Sequence, residues 1–139
     1  MKPVFPAAMN KKDIKQYLLD NDFSELEEMD YSGAAIVYRA FYDFDEDEIK
    51  AAKAYAKDES DYEEDSDEWL KEFFLPYLTD LAIDNVGQCL EEIMEEFEVT
   101  AQFISYEIDM HNYSYLEFIL AFSKDEDLDI DEIVEEIGL

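Results

Sequence analysis

The chain has one cysteine, one histidine, three glycines and three prolines, and only ten basic residues against 39 acidic ones. Each scarcity excludes something. A lone cysteine, Cys89, allows no internal disulfide, which suits a reducing compartment; within a helical stretch beside Leu90 it reads as a packed thiol rather than a nucleophile. His111 is the only imidazole and has no evident serine partner, so a Ser/His/Asp triad cannot be assembled around it. No Cys/His cluster is available for zinc. Gly33, Gly87 and Gly138 stand too far apart for a phosphate-cradling loop. A nucleic-acid binder needs a basic stripe, and ten cations against 39 anions cannot supply one. An anionic membrane surface would repel the chain, no apolar run approaches the roughly 20 residues of a membrane span, and Met1 to Pro6 carries no apolar core of a signal peptide. The expectation is a soluble, cytoplasmic protein that is not an enzyme and uses no cofactor or metal.

What is present is apolar mass and negative charge. Hydrophobic residues make up 48% of the 139, with ten Phe, ten Tyr and one Trp. Disordered acidic chains are poor in such residues, so this one is expected to fold as a single domain, 1–139, around a real core. The formal net charge is −29. Residues 1–57 hold 12 acids and 8 bases; residues 58–139 hold 27 acids and 2 bases, Lys71 and Lys124. No Pro/Gly/Ser linker separates the halves.

Periodicity predicts an α+β fold: a small antiparallel sheet including a C-terminal β-hairpin, with several helices packed on one face. Asn10 is placed to cap a helix carrying Ile14, Tyr17 and Leu18. Ser24 followed by Glu25, Leu26, Glu27 and Glu28 resembles a capping box over another helical turn. Residues 34–42 read as a strand, 45–57 as a helix and 58–66 as a loop. Asp67 is placed to cap a helix with Trp69, Leu70, Phe73 and Phe74 on one side, and Pro76 or Thr79-Asp80 is expected to kink or divide it. Helix resumes over 81–97. Residues 99–110 and 113–123 read as the hairpin, joined by His111-Asn112-Tyr113 with Asn112 left-handed. That register pairs Ile104 with Leu120, Tyr106 with Phe118 and Ile108 with Leu116, collecting apolar side chains on one face. Residues 129–137 close as a short helix.

The acids form runs at 43–48, 58–68, 91–98 and 125–136. Calcium is a natural thought for Asp125, Asp127, Asp129 and Glu136, spaced as positions 1, 3, 5 and 12 of an EF-hand loop. Position 6 is Ile130, where that loop needs Gly; the 61–72 window fails likewise at Ser66. Solubility needs a net charge of only about 2–8 in magnitude. Pairs such as Glu91/Glu95, Glu92/Glu96, Asp131/Glu135 and Glu132/Glu136 set like charges at i,i+4, each destabilising by roughly 0.2–0.5 kcal/mol. A strongly basic partner would offset that. The candidate partner-binding residues are therefore Asp58, Glu59, Asp61, Glu63, Glu64, Asp65, Asp67, Glu68, Glu91, Glu92, Glu95, Glu96, Asp125, Asp127, Asp129, Asp131 and Glu132. Carboxylates three or four residues apart on a helix stand about 5–6 Å apart, an ordered anionic row of a kind duplex DNA also presents.

In composition, and in the run Asp58-Glu59-Ser60-Asp61-Tyr62-Glu63-Glu64-Asp65-Ser66-Asp67-Glu68, the chain resembles the DNA-mimic inhibitors of phages and mobile elements, of the anti-CRISPR and anti-restriction type. Those inhibitors share no single fold. The resemblance implies a non-enzymatic protein, in a host cell's cytosol if phage-encoded, that binds the basic nucleic-acid-binding surface of a defence nuclease and blocks DNA binding, with no direct contact to nucleic acid or membrane. Two alternatives stand beside it: an immunity protein neutralising a nuclease toxin, and an acidic protein–protein adaptor. Tyr113, Tyr115 and Phe103 are surplus apolar residues that could support a homodimer.

Overall fold

Ile14 and Leu18 lie one helical turn apart, and α1 (Lys11–Asp20) buries both. The structure, a computed structural model, describes residues 11–21, 23–31 and 33–138; the expected cap Asn10 lies outside them. The next segment corrects the sequence reading. Residues from Ser24 form no helix but belong to β1 (Phe23–Glu28), paired antiparallel with β2 (Ala35–Asp43). Phe23 docks edge-on against Phe118, and the Ser24 hydroxyl donates to the Phe41 carbonyl at a break in register instead of capping a helix. The edge of β2 offers these backbone groups partners that no local pattern reveals.

Asp45 then caps α2 (Glu46–Glu59): its carboxylate accepts from the Glu48 N–H, and the Glu48 carboxylate accepts from the Asp45 N–H, a reciprocal box. After a loop at 60–66 comes α3, continuous in three pieces: Asp67–Trp69, a π-helical turn at Leu70–Phe74, and Leu75–Phe97. Its cap is Ser66, whose hydroxyl accepts from the Trp69 N–H, so Asp67 is the first helical residue rather than the expected cap. The break expected at Pro76 takes the form of the π turn just before it. Proline lacks an N–H and its ring clashes with the carbonyl four residues earlier; a wider turn absorbs the misfit without ending the helix.

β3 (Thr100–Ser105) and β4 (Tyr115–Ser123) complete a four-stranded antiparallel sheet in the order β1-β2-β4-β3, and α4 (Ile130–Ile137) follows. The fold is α+β. The helix-covered face carries Tyr38, Ala40 and Tyr42 of β2 and Leu116, Phe118, Leu120 and Phe122 of β4, packed with Leu18 of α1, Ala52 and Ala56 of α2, and Leu78, Val86 and Ile93 of α3. The other face is partly covered too: Val37, Ile119 and Ala121 bury Ile130 and Ile133 of α4.

That second layer explains the other corrections. The hairpin register is one residue from the expected one: Ile104 pairs with Ile119, Phe103 with Leu120 and Ser105 with Phe118. β4 is apolar on both faces, so alternation does not discriminate between registers that differ by one. β3 ends at Ser105, and 106–114 is an irregular excursion closed by an Asp109–Asn112 bridge in place of a three-residue loop. Asn112 is not left-handed; among the described non-glycine residues only Asp65 and Glu98 are.

Candidate protein-interaction surface

α3 organises the surface charge. Its buried side chains recur at Leu70, Phe74, Leu78, Ala82, Val86 and Leu90, four residues apart. A second row on the same spacing is exposed throughout: Glu68, Glu72, Pro76, Asp80, Asp84, Gln88, Glu92 and Glu96. Six of its eight members are carboxylates. Such a row follows the four-residue ridge, inclined by about 26° to the axis, so the charges wind around α3 as they ascend. With Asp67, Glu91 and Glu95, α3 carries nine exposed carboxylates and one lysine, Lys71. At 1.5 Å rise per residue the helix is roughly 45 Å long, which gives one carboxylate per roughly 5 Å of axis. One DNA strand presents a charge about every 3.4 Å.

Every one of the sequence-predicted residues is exposed. Asp58, Glu59, Asp61, Glu63, Glu64, Asp65, Asp67 and Glu68 sit at the α2–α3 junction, at one end of α3. Glu91, Glu92, Glu95 and Glu96 lie on its last turns. The third set adjoins that end: Lys124 Nζ donates to the carbonyls of Phe97 and Glu98 at 3.0 and 3.2 Å, placing the start of Asp125, Asp127, Asp129, Asp131 and Glu132 beside the α3 C-terminus. Asp129 also has a local role, accepting from the N–H groups of Asp131 and Glu132 as the α4 cap. The residues missed by sequence reading are Glu72, Asp80 and Asp84, which connect the two ends. Their signal was the four-residue spacing over 68–96, hidden by treating Pro76 and Thr79-Asp80 as a division.

Two ion pairs form among the described residues, Lys11–Glu28 and Arg39–Glu117, and neither uses a carboxylate of α3 or of the sequence-predicted set. One contact anchors the row from outside α3: the Tyr17 hydroxyl donates to Glu92 Oε1 at 2.7 Å, and that bond, with burial and the Glu92 charge, pushes the phenol up to about 12. No family model, curated protein or solved structure matches this chain.

The remaining candidates are placed as follows. Cys89 is buried in the core, and His111 is exposed, its backbone N–H donating to Asp109 Oδ1. Phe103 packs on Phe118 and Tyr113 on Phe74, which leaves Tyr115 as the exposed member of the expected dimer set. A groove of ≈ 700 Å³ runs beside the π turn between α3 and residues 105–110, with Lys71, Asp80 and Glu107 as its charged members.

Proposed function

We propose that the protein is a non-enzymatic DNA mimic that occupies the basic nucleic-acid-binding surface of a defence nuclease, such as a CRISPR effector or restriction enzyme, and blocks DNA binding. The observation that carries this reading is the carboxylate row, in no ion pair among the described residues, that winds along α3 and joins the acid-rich α2–α3 junction to the 91–98 and 125–132 acids. Its roughly 40 Å from Glu68 to Glu96 is close to one turn of B-DNA, about 34–36 Å. A folded rod of this kind needs no ordering on binding, and its field steers it to a cationic groove.

The test is competition. Purified nucleases are assayed for binding to this chain at 50 and 500 mM NaCl, with and without duplex DNA. Expected are displacement by DNA and a loss of affinity on the order of 100-fold across that salt range. A variant with Gln or Asn at Glu68, Glu72, Asp80, Asp84, Glu92 and Glu96 is expected to bind at least about tenfold more weakly, as loss of even one well-placed charge contact corresponds to 1.4 kcal/mol or more. Binding that ignores salt, DNA and the six substitutions overturns the reading.

A further inference from the structure

The α2–α3 junction holds more than charge. Residues 60–66 turn tightly there: the Ser66 N–H donates to the Glu63 carbonyl, and Asp65 takes a left-handed conformation at φ 68°, which Asp tolerates better than most residues. This folds a pocket of ≈ 360 Å³ lined by Lys57, Ser60, Asp61, Tyr62, Glu64 and Trp69. Tyr62 leans on Phe73 with ring centroids 6.1 Å apart and remains 47% exposed. Trp69 stacks on Phe74 at 4.9 Å and is only 1% exposed. Its backbone N–H reaches Ser66, but its indole Nε1 has no partner among the described residues. The one fully enclosed side-chain nitrogen or oxygen without a partner among them is Tyr38 Oη. The indole N–H is therefore not fully enclosed, and Trp69 lines this pocket. Ser60 is not a free donor, since its hydroxyl is committed to the Ala56 carbonyl at 2.7 Å.

The pocket thus offers an unpartnered indole donor and Lys57 on one hand, two carboxylates and a half-open aromatic face on the other. A group that carries an acceptor close to a flat cation matches the indole donor, the two carboxylates and the ring, with two anions against the one Lys57 cation. We propose that this pocket seats an arginine residue of a basic protein segment. Its guanidinium lies over Tyr62 and pairs with Asp61 and Glu64, and a backbone carbonyl of the segment accepts from Trp69 Nε1. Arginine fits better than lysine because its planar fork both stacks on an aromatic ring and bonds carboxylates bidentately. The inference rests on the mimicry reading for the nature of the partner and adds to it an arginine anchor at one end of the charged rod.

Trp69 is the only tryptophan, so its fluorescence reports on the pocket. The full chain is titrated with hexa-arginine, hexa-lysine and free L-arginine at 150 mM NaCl, with calorimetry alongside. Expected is a change in Trp69 emission with hexa-arginine at a midpoint at least fivefold below that for hexa-lysine, with free L-arginine far weaker. Tyr62→Ala should abolish the preference, and Asp61→Asn with Glu64→Gln should weaken it severalfold; Tyr62→Phe, which keeps the ring, should retain it. Equal midpoints for the two peptides, calorimetric binding without any emission change, or an equal response to free L-arginine overturns the inference. If nuclease binding is meanwhile displaced by DNA and lost in the six-fold row variant, mimicry stands and the pocket alone falls. If nuclease binding is absent, both fall.

Discussion

Tyr38 is fully buried between β2 and the helical layer, edge-on to Phe122, with a hydroxyl that meets no partner among the described residues. An enclosed hydroxyl without a hydrogen bond destabilises by about 1–3 kcal/mol. Tyr38→Phe is therefore expected to leave stability unchanged or raise it by about 1 kcal/mol, read as an increase in the urea midpoint; a loss of more than that amount contradicts the assignment. The same burial, with the Glu28 charge, pushes the Tyr38 phenol up to about 12, and the hydrogen bond to Glu92 does the same for Tyr17. Between the unfolded value of about 10 and the folded value, the native state holds protons that the unfolded chain has released. Stability is intact below pH 10 on this account and falls as pH rises through 10 toward 12. Urea unfolding at pH 9, 10, 11 and 11.5 should show that decline, and the Tyr17→Phe, Tyr38→Phe double variant should flatten it. Superimposable pH profiles for the two proteins would count against both assignments.

At the scale of elements, the two ends of the β3–β4 unit are held by specific devices. α3 ends on Glu98, a left-handed residue at φ 52° whose N–H returns to the Met94 carbonyl. This is a position glycine fills at little cost, whereas an L side chain pays roughly 1 kcal/mol there. Glu98→Gly is expected to raise the unfolding free energy by about 1 kcal/mol, measured by denaturant titration, and to remove one negative charge besides. α4 is tied to the sheet by Gln102, whose amide donates to the Leu128 carbonyl at 2.7 Å and accepts from the Ile130 N–H at 2.9 Å. That N–H belongs to the first turn of an eight-residue helix, too short to persist by itself. Gln102→Leu leaves two partly buried backbone groups unsatisfied and should cost about 1–3 kcal/mol, with amide exchange rising first over 130–137. Exchange that rises uniformly over the chain would contradict a local latch. The elements read from the sequence were those with self-contained signals: the Ile14/Leu18 stripe, the helices over 45–57 and 129–137, and the apolar turns of α3; the Asp45/Glu48 box and the Asp129 cap that start two of them emerged only in the structure. β1 was misread because its partners come from β2, and the hairpin register because Phe118 and Ile119 face opposite layers that are both apolar.

For the molecule as a whole, the charge opposes the fold. Glu91/Glu95, Glu92/Glu96, Asp80/Asp84, Asp131/Glu135 and Glu132/Glu136 are like-charge i,i+4 pairs on observed helices, together worth about 1–2.5 kcal/mol against folding. Self-repulsion of the net −29 adds to that. Native domains retain only about 5–15 kcal/mol, so the burden is a real fraction of stability. The melting temperature is expected to rise by several degrees between 20 and 500 mM NaCl as screening shortens the range of repulsion. The six-fold row variant should be more stable than the parent at low salt and respond less to added salt while losing nuclease binding. A row variant less stable at low salt would show that these carboxylates support the fold rather than a partner.

The amino-acid order alone determined the sign, size and skew of the charge, the exposure of the acid runs, and most helical faces, since these depend on composition and on spacings within one element. Tertiary structure decided the rest: that α3 passes Pro76 on a π turn and so joins two acid runs into one winding row, that α4 partly covers the second sheet face, so that both faces of β4 are apolar, and that Trp69 is buried against Phe74 while lining a pocket with Tyr62. The last two are properties of packing between segments that no local pattern encodes; the row did have a local signal, its four-residue spacing, but only the π turn shows that the helix runs on through Pro76.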